Sequence, residues 1–128
     1  ELVEKAVKLA ELSSFINTLP DYLDTNLGER GVQLSGGQQQ RVGIARALYH
    51  DPNILIFDEA TSSLDENTEK NIMNAIDKFS GLKTIIIIAH RINTLKKCDN
   101  IFLIEQGRVA DEVNFESLLK QNINFTKN

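Results

Sequence analysis

The chain has 128 residues, 41% of them hydrophobic and 25% charged, with a formal net charge of −4. This size and composition fit one soluble globular domain, and the negative balance excludes a general attraction to nucleic acid or anionic lipid. No apolar run approaches the roughly 20 residues needed to cross a bilayer. Cys98 is the single cysteine, so an internal disulfide is impossible and a reducing compartment is expected.

The first fifty residues are predicted to be helical and to contain no strand. Apolar residues recur at helical spacing over 2–12, and a second short helix follows over 13–19, where Pro20 ends it. Residues 21–31 are polar and rich in turn formers, and a longer helix is predicted over 35–49. We therefore treat residues 1–51 as one helical region.

After Pro52, apolar segments with strand character alternate with helical ones, which indicates an α/β layer fold. The first two strands are apolar throughout, a pattern typical of buried parallel strands. The predicted elements are strands at 54–57, 84–89, 100–104 and 108–110, and helices at 66–79, 93–97 and 115–120. The sequence thus predicts a mostly parallel sheet with flanking helices over 52–120 and a flexible tail over 121–128.

The Ser35-Gly36-Gly37 segment lies where the long helix begins. Unpaired N–H groups and the positive end of the helix dipole meet there, and glycine lets an anion approach the backbone closely. Ser35, Gly36 and Gly37 are therefore candidates for binding phosphate. The alternative is that Ser35 only caps the helix and the glycines only form a turn, and Ser-Gly-Gly alone would favour that alternative.

Two adjacent carboxylates, Asp58 and Glu59, follow the apolar strand 54–57. Open α/β sheets bind ligands at the carboxyl ends of their strands. Asp58 suits a Mg²⁺ ligand, and Glu59 suits a base that polarises water for attack on a phosphate. The alternative is two solvated acids at a strand end, but a buried strand would hold both in place.

His90 follows the second apolar strand, and the same geometry brings it to the same edge of the sheet. A single histidine at a strand end is more often structural, but His90 is the third polar group predicted at this edge. That favours a functional role, in which it contacts a terminal phosphate and the attacking water. Asp65 is, on physical grounds alone, the cap of the next helix. Arg41 and Arg46 have the spacing of solvated charges and do not indicate a function.

Taken together, these residues resemble the nucleotide-binding domain of an ABC transporter. Residues 34–38 match the signature motif of that family letter for letter, and 54–59 match its Walker B strand with the catalytic glutamate. Residues 62–65 match the D-loop, and 89–91 match the segment with the switch histidine. Four motifs in the order and spacing of the family make a chance match very unlikely.

The resemblance implies a partial P-loop NTPase core preceded by part of the ABC α-helical subdomain. In such proteins two domains enclose two ATP molecules. By resemblance, the signature residues bind ATP held by a second ABC ATPase domain, identical or paralogous, whereas Asp58 (through Mg²⁺), Glu59 and His90 serve the ATP of their own domain. The residues implied in nucleotide binding are Ser35, Gly36, Gly37, Gln38 and Asp65.

Residues 25–31 resemble the X-loop of exporters, in which Glu29 would face the transmembrane domain. This favours an exporter or flippase over an importer. The resemblance, including a similarity to polysaccharide and lipid-linked-glycan exporters, implies a location on the cytoplasmic face of a bacterial cell membrane. The substrate would be selected by transmembrane helices, so the sequence does not name it.

The family's Walker A motif, Gly-x-x-x-x-Gly-Lys-Ser/Thr, occurs nowhere in the 128 residues, and neither do its Q-loop glutamine and adenine-stacking aromatic residue. The isolated chain is therefore expected to be inactive. One alternative is a catalytically silent module that pairs with a complete ATPase. A soluble ABC-type ATPase of DNA repair or translation is disfavoured by the X-loop-like segment. Residues 85–88 are expected to present an apolar edge that promotes self-association.

Overall fold

The computed structural model describes residues 1–28, 31–89 and 91–120 of the chain. Two predicted site residues, Glu29 and His90, and the predicted tail over 121–128 lie outside the described residues. The described part of the chain forms two compact units, which divide between residues 86 and 87. The structure confirms the predicted α/β class.

The first unit contains most of the predicted helices. Its elements, in order, are α1 (Leu2–Leu9), α2 (Ser13–Ile16), a 3₁₀ turn (Tyr22–Asp24), α3 (Gly36–Tyr49), β1 (Ile54–Asp58), α4 (Glu66–Asp77) and the start of β2 (Thr84–Ile88). The first two helices are shorter than predicted, since α1 ends at Leu9 and α2 at Ile16.

Helix α1 packs against α3 and also contacts α4. The apolar positions of α1 and α3 supply much of the core of this unit, with Ala6, Ala10, Ile44 and Leu48 all buried. Arg41 fastens the two helices further, because its guanidinium donates to the backbone oxygen of Glu11 at 2.7 Å, just beyond α1. The sequence left open whether Arg41 is only a solvated charge, and this contact assigns it a structural role.

Strands β1 and β2 form a two-stranded parallel sheet, but β1 is not buried on both faces. Leu55 and Phe57 are 2% and 4% exposed, whereas the alternating residues Ile54 and Ile56 are 58% and 64% exposed. The expectation of a fully buried strand is therefore wrong for the part of the chain that the structure describes. An unbroken apolar sequence predicts two apolar faces, but it does not show that both are covered.

Lys83, the residue before β2, is held by contacts with the loop that precedes β1. Its ammonium lies 2.9 Å from the Asp51 carboxylate and donates to the backbone oxygens of Asp51 at 3.2 Å and Pro52 at 2.7 Å. The ammonium also lies 5.8 Å from the centre of the Phe79 ring. Three acceptors match the three donors of the lysine side chain, which is only 10% exposed.

The second unit contains the end of β2, a 3₁₀ turn (Ile92–Leu95), β3 (Ile101–Glu105), β4 (Arg108–Val113) and α5 (Phe115–Lys120). Its buried core consists of Leu95, Ile101, Val113 and Leu118. The helix predicted over 93–97 is a 3₁₀ turn, while α5 has its predicted bounds.

The predicted hairpin is present. Strands β3 and β4 pair antiparallel, with an irregularity between Leu103 and Ile104. The turn residues Gln106 and Gly107 have φ of 50° and 74°, the left-handed conformation that two-residue hairpin turns require. Strand β4 continues to Val113, beyond the predicted end at residue 110, because Val113 is buried in the core of this unit. Within the described ranges, no helix has the length and apolarity needed to cross a membrane.

Candidate functional site

The N-terminus of α3 is closed by a reciprocal capping box. Ser35 is the N-cap residue, and its Oγ accepts the backbone N–H of Gln38 at 3.3 Å. The Gln38 side-chain oxygen accepts the backbone N–H of Ser35 at 2.8 Å. Both side chains thus have a structural role, as the capping alternative predicts. An accepting hydroxyl still carries a proton to donate, and Gly36 and Gly37 supply the N–H groups of the first helical turn.

The two predicted carboxylates lie at the end of β1. Asp58 is the last strand residue, and Glu59 follows with a φ of 48°. Both residues are exposed. Residues 59–65, which we name the carboxylate turn, then fold back: the N–H of Ser62 donates to the Glu59 oxygen at 3.0 Å, and that of Leu64 donates to the Thr61 oxygen at 3.1 Å. The left-handed backbone of Glu59 is uncommon for a residue other than glycine, asparagine or aspartate.

Asp65 ends the carboxylate turn and caps α4, as predicted from the sequence. Its Oδ1 accepts the backbone N–H of Thr68 at 3.0 Å. The hydrogen bonding of Thr68 holds the pKa of the Asp65 carboxyl below its ordinary value, because the bond favours the ionised form. An ionised aspartate is also the favourable partner for a helix N-terminus.

The structure brings the carboxylate turn onto the start of α3, through contacts that the sequence did not predict. The Gln40 side-chain amide donates to Ser62 Oγ at 3.0 Å, and its oxygen accepts the backbone N–H of Ser63 at 3.0 Å. Gly37 lies so close that a Cβ built on it would be 3.2 Å from the Ser63 oxygen. No sequence signal marks Gln40, which is one of three consecutive glutamines.

The opposite side of the carboxylate turn is attached to α4. The Thr61 hydroxyl donates to the Glu69 carboxylate at 3.0 Å. Glu69 is buried, and buried carboxyl groups are rarely found without hydrogen-bond partners. The turn that begins at Glu59 is therefore held by a side chain from each of two helices.

No cluster of three or more potential metal ligands occurs among residues 1–28, 31–89 and 91–120. Asp58 nevertheless fits Mg²⁺ in one specific way, since it is an exposed carboxylate at a strand end. Protein sites for Mg²⁺ commonly supply one or two carboxylates and leave the other positions to water and substrate phosphates. The single carboxylate suits a metal that arrives with a nucleotide.

The comparisons with known proteins agree on one family. The family model described as "ABC transporter" matches residues 3–62. The "Heterocyst differentiation ATP-binding protein HepA" of Nostoc sp. is 49% identical over 93% of this chain and 20% of its own length. An "ATP-dependent lipid A-core flippase" of Pectobacterium atrosepticum is 48% identical over 95% of this chain and 21% of its own length.

A solved structure agrees with these sequence matches. A bacterial Atm1-family ABC exporter with ATP bound superposes with a TM-score of 0.87 and 43% identity, covering 97% of this chain and 22% of the exporter chain. This chain therefore spans about a fifth of the length of these bacterial relatives. The agreement of motifs, fold and relatives shows that the chain belongs to the ABC transporter family, as the C-terminal portion of a nucleotide-binding domain similar to those of exporters.

Proposed function

We propose that this chain is part of an ATP-hydrolysing domain that powers export across a membrane in an ATP-sandwich dimer. The observation that carries the proposal is the signature sequence at the capped N-terminus of α3, packed beside the turn that carries Glu59. In this proposal residues 1–51 belong to the α-helical subdomain, 52–120 to the ATPase core and 121–128 to a flexible tail.

The start of α3 acts as a phosphate clamp for the ATP of the second ATPase domain. Gly36 and Gly37 present first-turn N–H groups, and Ser35 adds a hydroxyl donor. Gln38 holds the clamp in shape through the capping box. Asp65 also faces the nucleotide in this proposal, while its carboxylate caps α4.

The carboxylates serve the ATP of their own domain. Glu59 polarises the attacking water and accepts its proton, and His90 contacts the terminal phosphate. Asp58 would hold Mg²⁺, which supplies neutralisation of phosphate charge when bound. Under this assignment, each nucleotide is contacted by the carboxylates of one domain and by the signature residues of the other. Hydrolysis therefore needs two domains.

The partners proposed for the full-length protein are a second ABC ATPase domain, identical or paralogous, and a transmembrane domain contacted through Glu29. These assignments place the domain at the cytoplasmic face of a cell membrane. The relatives named as a lipid A-core flippase and an Atm1-family exporter support the direction of transport. No nucleic-acid partner is proposed.

The test is Glu59→Gln in the full-length protein. We expect ATP hydrolysis to fall roughly 10²–10⁴-fold, the usual loss when a general base is removed, while ATP binding persists because the amide keeps the shape of the side chain. Steady-state hydrolysis and equilibrium nucleotide binding measure the two effects separately. Retention of most hydrolysis would exclude Glu59 as the base.

The alternative function, a silent module that pairs with a complete ATPase, would need only the signature end of α3, which the capping box holds in shape. It is tested with the chain by itself in calorimetric titration with ATP and Mg²⁺. We expect no measurable binding, because the lysine and backbone cradle for the β- and γ-phosphates are missing from this sequence. Tight binding by the chain alone would overturn the assignment of half-sites.

A further inference from the structure

We propose that Gln40 is a positioning residue that fixes the backbone of the carboxylate turn, and with it the direction in which Glu59 leaves β1. The inference rests on the proposed function, in which Glu59 is the general base. It assigns a role to a side chain that lies outside the signature motif 34–38 and that neither the motifs nor the comparisons distinguish from its neighbour Gln39.

The first step concerns the conformation of Glu59. Its φ of 48° places a non-glycine residue in the left-handed region, which costs free energy and persists only where the surroundings hold it. One restraint is the hydrogen bond from the N–H of Ser62 to the Glu59 oxygen at 3.0 Å. The position of Ser62 therefore contributes to holding the conformation of Glu59.

The second step concerns what holds Ser62. Gln40 donates to Ser62 Oγ and accepts the N–H of Ser63, both at 3.0 Å. One planar amide thus contacts two successive residues through both of its polar ends, so it fixes the orientation of the segment as well as its position. The close approach of Gly37 to the Ser63 oxygen leaves little room for the segment to shift towards α3.

The third step follows from the position of Gln40 on α3. It lies one helical turn after Gly36, the first residue of the helix that starts with the phosphate clamp. A movement of this end of α3 is transmitted to Ser62 and Ser63 by the amide, and from there to the turn that begins at Glu59. Gln40 thereby links the clamp for one nucleotide to the base that serves the other.

The test compares three variants of the full-length protein in steady-state ATP hydrolysis. Gln40→Met keeps the length of the side chain and removes both hydrogen bonds. Gln40→Glu keeps both, since a carboxylate accepts the Ser63 N–H and the Ser62 hydroxyl can rotate to donate. Gln39→Met is the matched control, because Gln39 is exposed and its amide makes one long contact, 3.4 Å to the Leu34 oxygen.

We expect Gln40→Met to lower kcat about 3- to 10-fold, the loss that one or two misplaced neutral hydrogen bonds can produce, with KM for ATP and Tm unchanged. Gln40→Glu should restore kcat, and Gln39→Met should resemble the wild type. Ser62→Ala should lower kcat in the wild type but add nothing to Gln40→Met, because both changes remove one shared contact.

Three outcomes would overturn the positioning role. The first is wild-type kcat in Gln40→Met, and the second is a loss of kcat in Gln40→Met that is accompanied by changes in KM and Tm. The third is a failure of Gln40→Glu to restore the rate. The failure of the proposed function looks different. In that case the wild-type protein does not hydrolyse ATP, or Glu59→Gln hydrolyses it normally, and the role of Gln40 in positioning the base falls as well.

Discussion

At the scale of single residues, polar side chains hold the loops of the first unit in place. Lys83 contacts Asp51 and Pro52, Thr61 contacts Glu69, and Gln40 contacts the carboxylate turn. The Lys83 and Gln40 contacts join residues more than twenty positions apart, and the Thr61 contact joins the carboxylate turn to helix α4. Loops that carry functional groups need such support, because a loop has few internal hydrogen bonds of its own.

The Lys83 contacts predict a loss of stability in Lys83→Met. The substitution keeps the apolar stem beside Phe79 but removes the donor for two backbone oxygens and the ion pair with Asp51. We expect the free energy of unfolding to fall by about 1–3 kcal/mol, because the oxygens lose a charged partner. Urea unfolding of the chain measures it. Asp51→Asn is the control, which keeps the backbone contacts and should cost less.

The same ion pair predicts a pH dependence. The hydrogen bond from Lys83, followed by its charge, holds the pKa of the Asp51 carboxyl below its ordinary value of 3.8. A lowered folded-state pKa gives stability that is present above the unfolded-state value and is lost as the pH falls through the folded-state value. Stability contributed by Asp51 should therefore be complete near neutrality and decline below about pH 4. Lys83→Met should abolish this decline, and an unchanged acid profile in that variant would contradict the assignment.

At the scale of elements, the helices were the easiest part of the structure to predict. Helix α3 begins after Ser35 and α4 after Asp65, as their capping side chains indicate, and α5 has its predicted bounds. Capping is local chemistry, so it can be predicted from a few neighbouring residues. The early ends of α1 and α2 were not predictable, because the apolar spacing continues beyond the last hydrogen-bonded turn.

The candidate site was predictable only where its residues lie within one motif. Asp58 and Glu59 were placed correctly at the end of β1 by the apolar run before them. The contact of Gln40 with Ser62 and Ser63 joins residues more than twenty positions apart, and no periodicity encodes such a pairing. The alternating exposure of β1 was also missed, since apolar side chains occupy both its covered and its uncovered face.

The two glycines that begin α3, Gly36 and Gly37, differ in their surroundings, which predicts different responses to alanine. A Cβ on Gly36 would lie 3.8 Å from Ser63 Cβ, an ordinary contact, whereas one on Gly37 would lie 3.2 Å from the Ser63 oxygen. Alanine favours helices over glycine by roughly 1 kcal/mol in helix interiors, and crowding costs about 1–3 kcal/mol. Gly36→Ala should therefore be neutral or stabilising and Gly37→Ala destabilising. Thermal unfolding compares them, and equal Tm values would contradict the crowding at Gly37.

At the scale of the whole molecule, the most consequential feature is the uncovered apolar face of the sheet. Ile54, Ile56 and Ile86 are 58%, 64% and 46% exposed, and contiguous exposed apolar surface promotes association. The sequence predicted self-association from the open apolar edge of residues 85–88. The structure adds the exposed isoleucine face as a second cause.

The prediction is that Ile54→Thr with Ile56→Thr reduces self-association of the chain. Threonine keeps the branched shape that suits a strand and adds a hydroxyl to the exposed face. Sedimentation velocity over a range of concentrations measures the change. Leu82→Thr is the control, because Leu82 is 78% exposed in the turn before β2 and outside the sheet face. A monodisperse wild-type monomer, or an equal effect of the control, would contradict the prediction.

The same isoleucine face also affects the thermodynamics of unfolding. The heat-capacity increment of unfolding comes mainly from apolar groups that become hydrated as the chain opens, at about 12–15 cal/mol/K per residue in typical domains. Side chains that water already reaches in the native state contribute little to it. The stability curve of this chain should therefore be flatter in temperature than that of a domain of equal length with both sheet faces covered, so that cooling and warming change its stability less.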